Sequence, residues 1–297
     1  MAHPAASVPS VPSGHQAAID KTPPAGGNPT SPPGATRHTY AAIDLGTNNC
    51  RLLVARPITG GFIVVDAFSR IVRLGEGLAQ SGRLSAEAMD RAVDALGVCA
   101  DKLRRRRVSL ARSVATEACR RAANGRDFIE RVRAETGLAL EIIAPQEEAR
   151  LAVLGCHKLL GPGDGPALIF DIGGGSTELE MLPRDAPNIR LLGTSGTVTT
   201  LASVHLALPS YDRRAVDGLH VPIGAMREIS TAIARMDLAE RSALPCIGAE
   251  RADLVVAGCA ILEAILDIWP AEQLGVADRG IREGILRSLM ARDGYVL

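Results

Sequence analysis

The residues best suited to chemistry lie between Ala167 and Met181, where an apolar run ends in Asp171, turns through Gly173, Gly174 and Gly175, and leaves through Ser176. Beyond the turn Thr177, Leu179 and Met181 alternate with Glu178 and Glu180. A period of two predicts a strand, so the stretch reads as strand, tight glycine turn, strand. The glycines allow positive φ and carry no Cβ, so backbone N–H groups can line a concavity that takes an anion such as phosphate. A carboxylate at the mouth of that concavity repels a bare phosphate. Asp171 makes sense there if a divalent cation or its bound water intervenes, with Glu178 a second carboxylate beyond the turn.

A second stretch repeats the pattern. Tyr40 to Asp44 is apolar up to its aspartate, Gly46, Thr47 and Asn48 form a turn, and Cys50 to Val54 is a second strand. Two Asp-aliphatic-Gly hairpins at domain-scale spacing suggest a duplicated unit whose phosphate-binding turns face each other across a cleft. A third anion-friendly arrangement is the strand from Ile189, the Gly193–Thr197 loop containing Gly196 and Thr197, and a helix from about Val198 to Leu206. Glu147 and Glu148 open a helix after Pro145, where two carboxylates also suit the positive end of the helix dipole.

The intervening elements are those of an α/β protein. Phe62–Phe68, Val108–Val114, Leu138–Ile143 and Leu274–Ala277 read as strands. Ser85 caps a helix to about Arg105, with Met89, Val93, Leu96 and Leu103 on its apolar face. Further helices are expected over about 126–136, 145–159, 223–235, 252–268 and 280–290. The basic run Arg104 to Arg107 closes a helix, where cations meet the negative dipole end. Residues 1–38, rich in Pro, Ala, Ser and Gly, are expected to be disordered. The turn cluster at 161–166 divides the remainder into domains over 39–162 and 163–297.

Composition narrows the function. The 297 residues are 46% hydrophobic, and 33 basic residues balance 33 acidic ones, so no long-range field steers DNA or RNA to the surface. The six cysteines have no metal-ligand spacing and read as free thiols of a reducing cytosol; His157, His205 and His220 are isolated. No apolar run of about 18 residues predicts a membrane span, and no signal-peptide pattern opens the chain, so a cytoplasmic protein is expected. The absence of a Gly-x-x-x-x-Gly-Lys sequence excludes a P-loop enzyme.

These motifs together resemble the exopolyphosphatase and guanosine pentaphosphate phosphatase (Ppx/GppA) family. The resemblance runs from about residue 40 to 290. It rests on Asp-Leu-Gly-Thr-Asn-Asn, Glu-Glu-Ala-Arg-Leu, Asp-Ile-Gly-Gly-Gly-Ser-Thr-Glu, Gly-Thr-Ser-Gly-Thr-Val-Thr-Thr-Leu-Ala and Asp-Arg-Gly-Ile-Arg-Glu-Gly, in that order. It implies the short, two-domain type of the family. The fold would be the actin-like and sugar-kinase-like (duplicated ribonuclease H-like) α/β fold, with the closing helix packing back toward the first domain. The implied activity is Mg²⁺-dependent hydrolysis of the terminal phosphoanhydride of inorganic polyphosphate or of pppGpp, and a homodimer is the assembly to test. Asp44, Gly46, Thr47 and Asn48 match the first phosphate loop, and Gly173, Gly174, Gly175 and Ser176 the second. Arg120 matches an arginine that contacts the phosphate chain, Glu148 the general base, Glu178 a second essential glutamate and Asp171 a residue near the metal.

The sequence departs from the family in two places. Pro145 stands where a glycine is common. The second domain lacks one strand and one helix, which the family carries between the Ser-Thr-Glu strand and the Gly-Thr-Ser-Gly loop; the short 183–188 link replaces them. Removing an inner strand and its helix is expected to expose apolar surface and a sheet edge. A non-catalytic polyphosphate- or guanosine-tetraphosphate-binding relative is therefore an alternative to the phosphatase, and an ATP-dependent kinase of the same superfold is a further one.

Overall fold

The computed structural model describes residues 38–161, 163–184 and 188–296. The proline-rich segment before His38 and part of the 183–188 link lie outside them.

The first lobe contains β1 (Tyr40–Leu45), β2 (Asn49–Ile58) and β3 (Gly61–Ile71), then α1 (Leu78–Ser81) and α2 (Ala86–Arg105). It continues through β4 (Leu110–Ala115), α3 (Glu117–Arg121), α4 (Gly125–Thr136), β5 (Leu140–Ile142) and α5 (Pro145–Cys156). The second lobe runs β6 (Ala167–Ile172), β7 (Thr177–Leu182), β8 (Arg190–Thr194), α6 (Gly196–His205), α7 (Arg213–Val216), β9 (His220–Pro222) and α8 (Ile223–Arg235). It closes with α9 (Leu238–Ala243), α10 (Val255–Ile268), β10 (Gln273–Ala277) and α11 (Ile281–Arg292).

Both hairpins form in the same register. Asp44 sits opposite Arg51, and Asp171 opposite Glu178. The first sheet has the order β3-β2-β1-β4-β5, with β1, β4 and β5 parallel and β1, β2 and β3 antiparallel. Its two faces carry separate cores. Ile43, Leu52 and Val54 pack with α2 and α4, whereas Ala42, Leu53 and Val114 pack with Leu151 of α5 and Ile285, Leu286 and Leu289 of α11. Helices α5 and α11 cross closely enough that a Cβ on Gly284 would lie 1.9 Å from the Leu151 carbonyl oxygen. The last helix of the chain thus lies against the first lobe.

The second sheet has the order β7-β6-β8-β10-β9. One sequence expectation needs correction here. The strand missing relative to the first lobe is the counterpart of β3, and β3 is an edge strand rather than an inner one. Its loss moves the edge in by one position, to β7, without opening a hole. A fifth strand is nonetheless present, because the three-residue β9 pairs antiparallel with β10 at the opposite edge. The apolar surface and sheet edge expected from the missing segment are found on β7, where Leu179 and Met181 are 42% and 39% exposed, because no counterpart of β3 or α2 covers them among the described residues.

Candidate active site

The two hairpin turns meet across a cleft of about 510 Å³. Its walls include Asp44, Gly46, Thr47 and Asn48 from the first lobe, Asp171 and Gly173 to Ser176 from the second, and Gly196 and Thr197 at the start of α6. Glu148 and Glu178 also line it, from opposite lobes. The turns touch: a Cβ on Gly174 would fall 2.2 Å from Asn48 Nδ2, and one on Gly175 2.6 Å from Thr47 Oγ1. The reason for glycine differs from the one expected, since none of Gly173, Gly174 and Gly175 has a positive φ. Close approach of the opposing loop, not left-handed backbone, excludes a side chain at 174 and 175.

The adjacent glutamates of α5 separate into two roles. Glu147 faces Arg112 and Arg150, at 2.8 and 2.7 Å, and the Arg150 contact above all pulls its carboxyl down to about 2. Glu148 turns inward and is 6% exposed. Burial, reinforced by the charge of Glu178, pushes its carboxyl up to about 8 despite a 3.1 Å contact with Arg120. The helix dipole acts on both residues alike, so it does not account for the difference. A buried carboxyl poised near neutrality beside a like charge, in a cleft, has the character of an acid–base group.

Asp171 is pushed up to about 7, by burial first and by Glu178 next, and burial likewise raises Asp44 and Glu178. Asp44 Oδ1 is buried without a hydrogen-bond partner. These buried carboxylates, with the unpartnered Asp44 Oδ1 among them, suit a divalent cation. Among the described residues no group of three or more His, Cys, Asp or Glu side chains is arranged to cage a metal. A Mg²⁺-like ion keeps several waters and is commonly held by one or two carboxylates plus substrate phosphates.

Arg120 is placed differently from the other candidate residues. Its guanidinium bonds Glu117 at 2.7 Å, the Ile143 carbonyl at 2.8 Å and Glu148 at 3.1 Å, and it is not among the residues lining the cleft. In this arrangement it braces Glu148.

Sequence reasoning missed several residues of the wall: Arg51, Thr116, Ser195, Thr200, Glu250 and Arg251. Arg51 was legible, since it stands opposite Asp44 in the same hairpin as Glu178 does opposite Asp171. Ser195 has φ 86°, rare for a residue with a side chain, and its hydroxyl donates to the Ile172 carbonyl at 2.6 Å, fixing the loop before α6 to the second turn. Arg251 comes from the loop before α10 and reaches Thr200 Oγ1 at 3.4 Å; no sequence pattern marks that approach.

Paired glycine turns, a helix N-terminus and carboxylates gathered in an interlobe cleft make this a two-domain α/β protein with the makings of a phosphate site. The sequence model of the Ppx/GppA phosphatase family matches residues 53–189 and 180–293, and the chain belongs to that family. The crystal structure of an Aquifex aeolicus family member is 27% identical with a TM-score of 0.72, the alignment covering 87% of this chain and 99% of that one. An exopolyphosphatase-like protein is 25% identical with a TM-score of 0.80 over the same shares. An exopolyphosphatase from Cytophaga hutchinsonii, 22% identical with a TM-score of 0.77, shares the fold, again over 87% and 99%. Among the described residues no helix is long and apolar enough to cross a membrane.

Proposed function

We propose that the protein releases terminal phosphate from inorganic polyphosphate, or converts pppGpp to ppGpp, by direct attack of water in the interlobe cleft. The observation that carries this reading is Glu148, buried, raised to about 8 and set on the wall opposite Glu178 while its neighbour Glu147 is spent on surface arginines. Both candidate substrates present a terminal phosphoanhydride to the same loops. Backbone N–H groups of the two turns and of the α6 N-terminus hold the terminal phosphoryl group. Glu148 orients a water and takes its proton as the water oxygen bonds to phosphorus. The bond from phosphorus to the bridging oxygen breaks, and the shortened chain leaves with the electron pair. Asp171 and Glu178, with Asp44 beside them, would hold Mg²⁺, whose charge offsets that of the phosphates and lowers the cost of ionising the carboxylates. Arg120 keeps the Glu148 carboxyl aimed into the cleft.

The test is phosphate release by the purified protein with Mg²⁺ on each substrate, beside Glu148→Gln and Glu178→Gln. Each variant is expected to lose a factor of about 10²–10⁴ in kcat with its fold intact by circular dichroism. The uncovered face of β7 favours a second reading, a binding protein without turnover. Tight binding of either substrate with no release by the folded wild-type protein would establish that reading.

A further inference from the structure

The cleft is spanned by a contact outside the chemistry described above. After β3, residues Val72 to Gly75 form a strap laid along the first phosphate loop. The Val72 and Arg73 N–H groups both donate to the Asn48 carbonyl, at 2.8 and 3.1 Å, and the Gly75 N–H donates to that of Thr47 at 3.0 Å. Arg91 on α2 ties the strap down from behind, donating to the Val72 carbonyl at 2.9 Å and the Arg73 carbonyl at 3.3 Å. Arg73 has φ 46°, a left-handed conformation uncommon for a residue with a side chain and held by this bonding.

From the strap the Arg73 guanidinium reaches the second lobe. It donates to Asp253 Oδ2 at 3.2 Å, Asp253 Oδ1 at 3.4 Å and the Glu250 carbonyl at 3.1 Å. Among the ion pairs of the described residues, Lys158 apart, this one alone joins a residue before 161 to one after 163. Its acceptors flank Arg251 in the loop leading into α10, and α10 in turn packs Gly258 against Thr197 at the head of α6. One guanidinium therefore couples the Thr47–Asn48 turn to the segment that backs the Gly196–Thr197 turn.

We propose that Arg73 is a positioning residue, a clasp that sets the register of the two phosphate-binding walls when the cleft is closed and lets go when it opens. Its functional consequence rests on the phosphohydrolase reading above. The partners are 36% and 44% exposed, so the pair contributes about 0–1 kcal/mol and is screened by salt. A contact of that strength suits a gate: it shifts the closed-to-open ratio by no more than about fivefold, too little to trap substrate or product.

The experiment combines distance and rate measurements on Arg73→Gln, Asp253→Asn and the exchanged pair Arg73→Asp/Asp253→Arg. Asp tolerates the left-handed backbone at 73, and the strap's own bonds are backbone bonds that survive all three changes. Spin labels at the exposed positions Gln80 and Ala239, with Cys246→Ser, report lobe separation in the protein without substrate. Each single variant is expected to broaden the distance distribution toward longer values and to raise KM for the phosphate substrate about fivefold while kcat changes less than twofold. The exchanged pair should return both toward wild type, and added salt should widen the wild-type distribution but not that of Arg73→Gln. Unchanged distances and KM in the single variants, or an exchanged pair no better than they are, would overturn the clasp. If no phosphate is released by any form, the catalytic reading fails, and the label distances decide the clasp by themselves.

Discussion

Leu52 and Leu179 hold the same place in two hairpins of identical register, one residue past the partner of an aspartate, yet their surroundings differ completely. Leu52 is fully buried, because β3 extends the sheet beside it and α2 lies over it. Leu179 is 42% exposed at an edge with no such cover among the described residues. The residues one step earlier differ in charge instead: Arg51 faces Asp44, and Glu178 faces Asp171. The duplication has been used asymmetrically. The first hairpin is the braced half, with a guanidinium beside its aspartate. The second is the stripped half, and it supplies the extra carboxylate.

The steepest way to break this comparison is to truncate both leucines. Leu52→Ala should cost about 2–5 kcal/mol, whereas Leu179→Ala should stay within about 0.5 kcal/mol, as urea melts of the two variants would show. Equal losses would mean that something covers β7 in solution.

The charge difference is sharpened by pH. Glu148 and Asp171 have ordinary carboxyl values of 4.5 and 3.8 and are raised in the fold to about 8 and about 7. Between about pH 4 and pH 8 the folded protein therefore holds protons that the unfolded chain has released. The stability these groups confer is complete below that window and is lost as pH rises through it. The Tm of the metal-free protein is expected to fall by several degrees from pH 5 to pH 8. Glu178→Gln should flatten that slope, because Glu178 raises both groups, and Arg51→Gln should steepen it, because Arg51 lowers Asp171 and Asp44. Mg²⁺ should reduce the fall if it enters the same carboxylates.

The smallest effect compares the turns themselves. Gly174→Ala places a methyl group 2.2 Å from Asn48 Nδ2, so that side chain must swing out of the cleft. KM should rise about tenfold, a penalty of about 1.4 kcal/mol. At Gly46 the nearest atom to an added Cβ is 3.6 Å away, an ordinary contact, and Gly46→Ala should change KM less than twofold. Steady-state kinetics of the two variants separates a turn that needs room from one that does not.

Much of this was legible in the sequence because local pattern governed it. Both hairpins, the capped helix after Ser85 and the long apolar α10 follow from period, cap and turn residues. What escaped depended on tertiary packing. Four-residue α7 and three-residue β9 are too short to carry a period, and β9 exists only because β10 offers it an edge. Glu148 was picked out over Glu147 by the family resemblance and not by local pattern, because the choice turns on which side of α5 faces the cleft and which faces Arg112. The Arg73–Asp253 contact joins residues far apart in the chain and leaves no local trace. The absent strand and helix were detected correctly by comparing the halves; the position of the gap in the sheet required the strand order.

Glu178 sits on the strand that this gap has left with a neighbour on one side only. Edge backbone opens more readily than the interior of a sheet, so the amides of β7 belong to the least protected part of the second lobe. The geometry of the second carboxylate is then governed by a local breathing equilibrium rather than by the melting of the molecule. On warming, the alignment of the two glutamates is expected to be lost while most of the secondary structure is still intact, which amide exchange along β7 set against far-UV circular dichroism would show.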